Sequence, residues 1–361
     1  MISVIIIFLD AAPFIREAID SVYNQTCPDW ELILVDDGSQ DGSSELAIAY
    51  SRNDSARVHY MDHPGHRKLG TSASRNAGLC EARGKYVLYL DADDILLPNA
   101  LGDMAAVLNS RPELAAVMGA TMYWYWDELY SHTDDVVQRY GAWSGQVALP
   151  PDFFVAMTRN EELHPANCST LLRRNAMLDI GGFEASFRGM YEDTVLLAKL
   201  LLSYKVYVTG EVFSAYRMHH ASQCHRAAAD GEFNNFEPNR SRHAYLLWLR
   251  DYVRRHQVET PALRRALDRQ LWPYDKSLMG FIIRQPLAQK VVGGVKRWGR
   301  HVRRLCSPAF APSEAPSRPA DQAEVEILGQ LRAFYETTGR RLQAEAVGRR
   351  EITRAGALKA T

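Results

Sequence analysis

The chain is poor in cysteine and has no close pair of them. Cys27, Cys80, Cys168, Cys224 and Cys306 are odd in number and widely spaced, with no CxxC among them. This argues against a disulfide framework and for a reducing, cytoplasmic compartment. Long apolar runs are also missing. No stretch reaches the roughly 18 residues of a membrane-spanning helix, so none is expected. The apolar run Ile2 to Leu9 is short, with no basic segment before it and no small-residue cleavage site after it, so it does not read as a secretory signal. Excess charge is absent too: 42 basic and 43 acidic residues leave a net charge of −1. Nucleic acid is therefore not an expected partner. Finally, the segment after the first apolar run is Phe8-Leu9-Asp10-Ala11-Ala12, with neither a GxGxxG nor a glycine-rich basic loop. That speaks against a dinucleotide oxidoreductase, and against a nucleotidyltransferase.

What is present is an ordinary globular composition, 47% hydrophobic and 24% charged, in 361 residues. That length suits two domains, or one large domain with a helical appendage. Ile2 to Leu9 is nearly continuous and β-branched, as a strand buried on both faces of a parallel sheet reads. A helix is expected over Pro13 to Tyr23, with proline near its first turn. The unit repeats: strands at Glu31 to Val35, Arg57 to Met61, Tyr86 to Leu90 and Ala115 to Tyr123, with helices from Ser43, near Ser72 to Ala82, and at Pro98 to Leu108. This alternation predicts an α/β fold, an open and mostly parallel sheet with helices on both faces. Residues 124–165 read as an insertion over the sheet's open edge. A strand at Cys168 to Arg173, a helix near Asn175 to Ile180, a helix from Tyr191 to Ser203 and a strand at Lys205 to Thr209 follow. The expected division is 1–230 as the main domain, 231–306 as a helical extension, 307–320 as a proline-rich linker and 321–361 as a helical tail.

Two acidic clusters follow strands: Asp36-Asp37-Gly38-Ser39 and Asp91-Ala92-Asp93-Asp94. In open α/β sheets ligands bind beyond the carboxyl ends of the strands, so both clusters are expected on one rim. Asp91 and Asp93, two apart, face one way in an extended segment. Two such carboxylates repel unless a cation lies near them, and Mg²⁺ or Mn²⁺ suits oxygen ligands shared with phosphates. Each aspartate taken alone could instead cap a helix or turn.

The ordered set Ser3-Val4-Ile5-Ile6, Glu31 to Ser39, Ser74-Arg75-Asn76-Ala77-Gly78, Tyr89 to Asp94, Gly181-Gly182-Phe183, Glu192-Asp193 and Tyr216-Arg217-Met218-His219 resembles inverting glycosyltransferase family 2, of the GT-A fold. The resemblance runs from Ile2 to about Ser222. It implies a nucleotide-sugar-binding part at 1–123 and an acceptor-side part at 124–230. It implies transfer of a sugar from a nucleotide diphosphate sugar to a hydroxyl acceptor on a glycan, a lipid-linked glycan or a protein. By this resemblance Asp37 reads the base edge, with Asp36 beside it; a carboxylate can accept the imide N–H of uracil, which favours a UDP-sugar. Arg75 stands near the diphosphate. Asp91 contacts the ribose or a metal-bound water. Asp93 matches the metal ligand of the DXD pattern, with His219 completing the site, and a histidine ligand favours Mn²⁺ over Mg²⁺. Asp94 is a helper or the cap of the next helix. Phe8 and Asp10, at the end of the first strand, join the nucleotide-site candidates. Asp193 is the expected general base, with Glu192 orienting it or exchanging roles with it. Acidic residues at a helix start also complement its dipole, the alternative for this pair. His164-Pro165-Ala166-Asn167-Cys168 is a weaker acceptor-side candidate. Trp124, Trp126 and Trp143 are expected mainly to be buried.

Val291, Val295, Trp298, Val302 and Leu305 fall on one helical face among Lys290, Lys296, Arg297, Arg300, Arg303 and Arg304. Such a helix at 290–305 packs on the catalytic domain, or it lies on an anionic membrane at the inner face of the cell membrane. The first is favoured, because any surface helix is amphipathic.

Overall fold

The computed structural model describes residues 1–125, 135–160, 164–230, 238–275 and 322–337. The expected basic helix at 290–305, the linker at 307–320 and Trp126 lie outside them. The chain divides into two compact units, one of Met1–His220 with Ile327–Gly348 and one of Ala221–Glu326 with Arg349–Thr361.

In the first unit the strands are β1 (Ile2–Phe8), β2 (Trp30–Asp36), β3 (Val58–Asp62), β4 (Tyr86–Asp91), β5 (Ile95–Leu96), β6 (Ala116–Tyr125), β7 (Val136–Gln138), β8 (Gln146–Ala148), β9 (Thr170–Arg173) and β10 (Val206–Met218). The helices are α1 (Ile15–Tyr23), α2 (Ser43–Asn53), α3 (Thr71–Glu81), α4 (Ala100–Ser110), α5 (Asp152–Thr158), α6 (Arg174–Asp179) and α7 (Glu192–Ser203). The second unit holds α8 (Gln223–Ala229), α9 (Arg240–Arg255) and α10 (Pro261–Asp275). The last described helix, α11 (Gln322–Thr337), belongs to the first unit from Ile327 on.

The strands form one mixed sheet in the order β3-β2-β1-β4-β9-β6-β10-β5, with β7 on β6 and β8 on β10. The first four are mutually parallel, and β6 and β10 are parallel to each other. β9 runs antiparallel between the two groups. The mostly parallel α/β architecture expected from the sequence is therefore present. Two details differ. The segment read as an irregular insertion contributes β7, β8 and α5; its strands of three residues are too short to show alternation. The strand expected to stop at Thr209 runs on to Met218, because Gly210 and Glu211 are absorbed as an irregularity between Val208 and Val212.

Periodicity sets the layers. Ile15, Ala18, Ile19 and Val22 of α1 are fully buried at helical spacing and join Val4, Ile6, Leu32, Leu34, Leu88 and Leu90 in one core. Each such aliphatic side chain contributes about 1.5–3 kcal/mol on burial. The opposite face carries Ile5 and Val35, and there α3 lies very close: a Cβ at Gly78 would meet Ile5 Cγ2 at 2.5 Å. Glycine is what lets this helix, and the residues it carries, approach the strand ends.

Candidate active site

β1 lies between β2 and β4, so the carboxyl ends of the three strands share one rim, the place where ligands bind in open α/β sheets. Register brings the two acidic clusters there: Phe8 pairs with Asp36, and Ile7 with Asp91.

Asp36 is fully buried and saturated. It accepts from the Gly38 and Ser39 amides at 3.1 and 2.8 Å, from Ser44 Oγ at 2.5 Å and from the Tyr60 hydroxyl at 3.2 Å. Its geometry is that of a turn-former. Asp37 lies beside it and accepts from the Leu69 and Gly70 amides at 2.7 and 2.9 Å through Oδ1, and from Gly70 again at 3.0 Å through Oδ2. Ser74 Oγ adds a bond at 3.2 Å, and His63 Nε2 lies 3.5 Å away. Asp37 thus fixes the loop that launches α3. Phe8 is buried, and its carbonyl accepts the Asp37 amide at 2.9 Å. Asp10 sits at φ 51, takes the Gln40 amide at 2.7 Å, and holds the β1 loop to the β2 loop.

Arg75, on α3, is 4% exposed. Its Nη2 donates to Asp91 Oδ1 at 2.7 Å, its Nη1 lies 3.5 Å from Glu192 Oε1, and its guanidinium covers the Phe183 ring at 5.1 Å. Burial works against its charge, yet Asp91 and Glu192 hold it protonated above its ordinary value. In return, burial raises the Asp91 carboxyl against the pull of Arg75, with Asp93 adding to the rise. Burial, then Asp193, likewise raises Glu192.

The neighbouring motif residues build the same wall. Asn76 Nδ2 donates to the Phe183 carbonyl and its Oδ1 accepts the Phe183 amide, both at 2.8 Å. Gly182, at φ 58, has no room for a side chain: a Cβ would lie 2.4 Å from Asn76 Oδ1. Lys199 of α7 donates to the Gly182 carbonyl at 2.7 Å.

The other wall is formed by the turn after β4 and the end of β10. Asp93 Oδ2 and His219 Nε2 are 3.0 Å apart. The His219 ring packs on Phe14 at 4.5 Å between centroids. Arg217 donates its Nε to the Asp93 carbonyl at 2.7 Å and its amide to Asp94 Oδ1 at 2.9 Å. Asp94 is 1% exposed, and burial followed by Asp93 and Asp91 raises its carboxyl well above the usual range. The expectation that Asp94 caps the next helix is not met: the short strand β5 intervenes, and α4 begins after Asn99. Among the described residues no group of three or more His, Cys, Asp or Glu side chains is gathered as a metal site. Asp93 and His219 form a pair, while Asp91 is turned to Arg75.

Glu192 and Asp193 open α7. Asp193 is partly exposed, and its Oδ1 accepts the Thr194 amide at 2.6 Å, so the dipole role is also filled. It lies within electrostatic reach of both Arg75 and Asp91. His164 gives its carbonyl to Gln138 Nε2 at 3.0 Å, and Cys168 is buried with Ser214 Oγ 3.2 Å from its sulfur. Trp124 is buried and Trp143 is half-buried against Phe153. The cysteines among the described residues are free. No described helix is long and apolar enough to cross a membrane.

Sequence reading left His63, Ser74, Phe14 and Arg217 without roles. Arg217 carried a signal, its place in the motif Tyr216-Arg217-Met218-His219; His63 carried none.

Residues 3–180 match the family model described as "Glycosyl transferase family 2". A cholesterol galactosyltransferase of Borreliella burgdorferi is 44% identical over 93 residues, which is 26% of this chain and 25% of that protein. The uncharacterized glycosyltransferase EpsJ of Bacillus subtilis is 40% identical over 94 residues, 26% of each. The chain thus spans about a quarter of the length of these relatives. In fold, it is similar to residues 1–349 of S. aureus TarS, solved in complex with UDP-GlcNAc, with a TM-score of 0.51 and 14% identity over 99% of this chain and 90% of that one. The segment from residue 3 to residue 180, which carries the Asp36-Asp37, Arg75 and Asp91–Asp94 motifs of the rim just described, belongs to glycosyl transferase family 2.

Proposed function

We propose that the chain is an inverting, metal-assisted glycosyltransferase that moves a sugar from a nucleotide diphosphate sugar, a UDP-sugar in the first instance, to a hydroxyl acceptor on a glycan or lipid-linked glycan. The observation that carries this is the gathering of Asp91, Asp93, Arg75, Glu192 and His219 at one strand rim in a family 2 chain. The donor's base is assigned to the Phe8, Asp10, Asp36 and Asp37 side of the cleft, and its diphosphate to the Asp91–Asp93 side.

The fit to a hard divalent ion is tested by spacing. The 3.0 Å between Asp93 Oδ2 and His219 Nε2 suits two neighbouring ligands held about 2.1 Å from one ion. Asp93 and His219 would hold Mn²⁺ or Mg²⁺, with waters and donor phosphates as the remaining ligands; Asp91 would act at the ribose or on a metal-bound water. The ion supplies stabilisation of the charge that grows on the departing diphosphate. Arg75 offsets one of the two charges of Asp91 and Glu192 and holds both carboxylates in place in a site of low dielectric.

The acceptor hydroxyl needs a base as it attacks C1. Asp193 is favoured over Glu192. Glu192 is buried and faces Arg75, whereas Asp193 is partly exposed and its Oδ2 has no hydrogen bond among the described residues. One displacement, with the proton passing to Asp193, inverts the anomeric centre.

A donor screen with Mn²⁺ and Mg²⁺, followed by NMR of the product, tests the reading. Release of a nucleoside diphosphate with an inverted linkage supports it. Release of pyrophosphate from a nucleoside triphosphate and a sugar 1-phosphate, supplied in a parallel assay, would make the chain a nucleotidyltransferase, and binding of sugar nucleotides without turnover would make it a scaffold. The basic segment at 290–305 is retained as a proposed contact with anionic membrane. Liposome binding that weakens with salt and is lost on truncation near Gln285 supports it; equal binding by the truncated chain overturns it.

A further inference from the structure

A buried polar chain joins the C-terminal helix to the Asp93 turn. Arg217 of β10 is 1% exposed, and its guanidinium lies over the Phe14 and Trp124 rings at 5.2 and 4.6 Å. A buried arginine keeps its charge, so it needs a carboxylate close by. That carboxylate is Glu17 of α1, whose Oε2 is 2.6 Å from Arg217 Nη2. The Tyr335 hydroxyl of α11 donates to the same oxygen at 2.9 Å. At its other end Arg217 grips the Asp93 carbonyl and Asp94 Oδ1, while His219, two residues on, meets the Asp93 side chain.

Packing runs parallel to this chain. Ile327, Leu328, Leu331, Phe334 and Tyr335 form one helical face, buried against Ile95 and Leu97, which follow the Asp93 turn, and against Trp124 and Ala215. The helix therefore reaches the turn twice, through apolar contact and through three linked hydrogen bonds. Neither route is needed to close the α/β core, whose main cluster contains no residue of α11.

We propose that Tyr335 and Glu17 are positioning residues of the donor site. They act through Arg217 to set the Asp93 carbonyl and carboxylate, so the C-terminal helix is a working part of the catalytic unit. For its kinetic consequences this rests on the glycosyltransferase reading; for the geometry of the turn it does not.

The test uses the full chain and the variants Tyr335→Phe, which keeps the ring and removes the hydroxyl, and Glu17→Gln. Two readouts are taken: steady-state kinetics with Mn²⁺ titrated, and amide hydrogen exchange over residues 91–97. Tyr335→Phe should lower kcat, or raise the Mn²⁺ concentration for half-maximal rate, by about tenfold, and should leave the acceptor KM unchanged. It should also speed exchange at 91–97 with little change in Tm. Glu17→Gln should do the same more strongly, and it serves as the readout should Tyr335→Phe fail to fold. Unaltered kinetics and unaltered exchange at 91–97 in these variants, even with a lower Tm, would reduce α11 to a packing element and overturn the proposal. Absence of sugar transfer by the wild type would sink the glycosyltransferase reading alone, because the exchange data still decide whether Tyr335 orders the turn.

Discussion

Arg75 and Asp91 are joined by a 2.7 Å ion pair at the carboxyl end of the sheet, and the same guanidinium reaches Glu192 at 3.5 Å. One cation from α3 therefore links the end of β4 to the helix that carries the proposed base. The arrangement also explains why Arg75 can be buried at all: two carboxylates and an aromatic face replace its water.

Removing that cation leaves two carboxylates in a largely buried site. Arg75→Ala is expected to destabilise the chain by about 3–5 kcal/mol and to reduce turnover at least a hundredfold. Arg75→Lys should rescue little, since one ammonium lacks the fork that spans both partners. Urea denaturation and donor turnover on the same preparations check this. Wild-type-like values for the lysine variant would contradict it.

The Asn76–Phe183 pair makes a separate prediction. Gly182→Ala must fit a Cβ 2.4 Å from Asn76 Oδ1 at φ 58, so it should cost about 1–3 kcal/mol. Asn76→Ala should cost a similar amount by stranding the Phe183 amide and carbonyl. In the double variant the losses should be less than additive, as a double-mutant cycle by chemical denaturation would show.

Asp94 sets a pH dependence with a definite sign. Its folded carboxyl lies well above its ordinary value of 3.8, so the folded chain binds this proton more tightly than the unfolded chain. The cost of ionising it is absent below about pH 4 and grows as pH rises toward the folded value. Asp94→Asn keeps the acceptor for the Arg217 amide and removes the charge. In chelator it should raise Tm at neutral pH by roughly 2–4 °C for each kcal/mol recovered, and change it little near pH 4. A Tm difference that does not depend on pH would refute this.

Much of the sheet was legible because β1, β2 and β4 are mainly apolar runs, and two of them end in an acidic turn, at Val35-Asp36 and Leu90-Asp91. The common rim for both acidic clusters followed from that pattern alone. Family resemblance supplied Arg75 and Glu192 as candidates, but not their mutual contact. Local periodicity carries no information about a partner 107 residues away, as for Asn76 and Phe183, or 318 away, as for Glu17 and Tyr335. Strands β5, β7 and β8 escaped because two or three residues cannot alternate. An aspartate's backbone partners are set by the turn it closes and leave no mark in its own sequence, and Asp36 in particular is filled by its own turn.

The most direct test of the central proposal is donor turnover, with Mn²⁺ titrated, in the wild type, Asp93→Ala and Asp193→Asn. The account predicts that Asp193→Asn lowers kcat by about 10²–10⁴-fold with donor KM little changed, the signature of a lost base. It predicts that Asp93→Ala weakens the Mn²⁺ response together with the rate. Undiminished turnover in both variants would contradict the assignment of this cleft as the catalytic site.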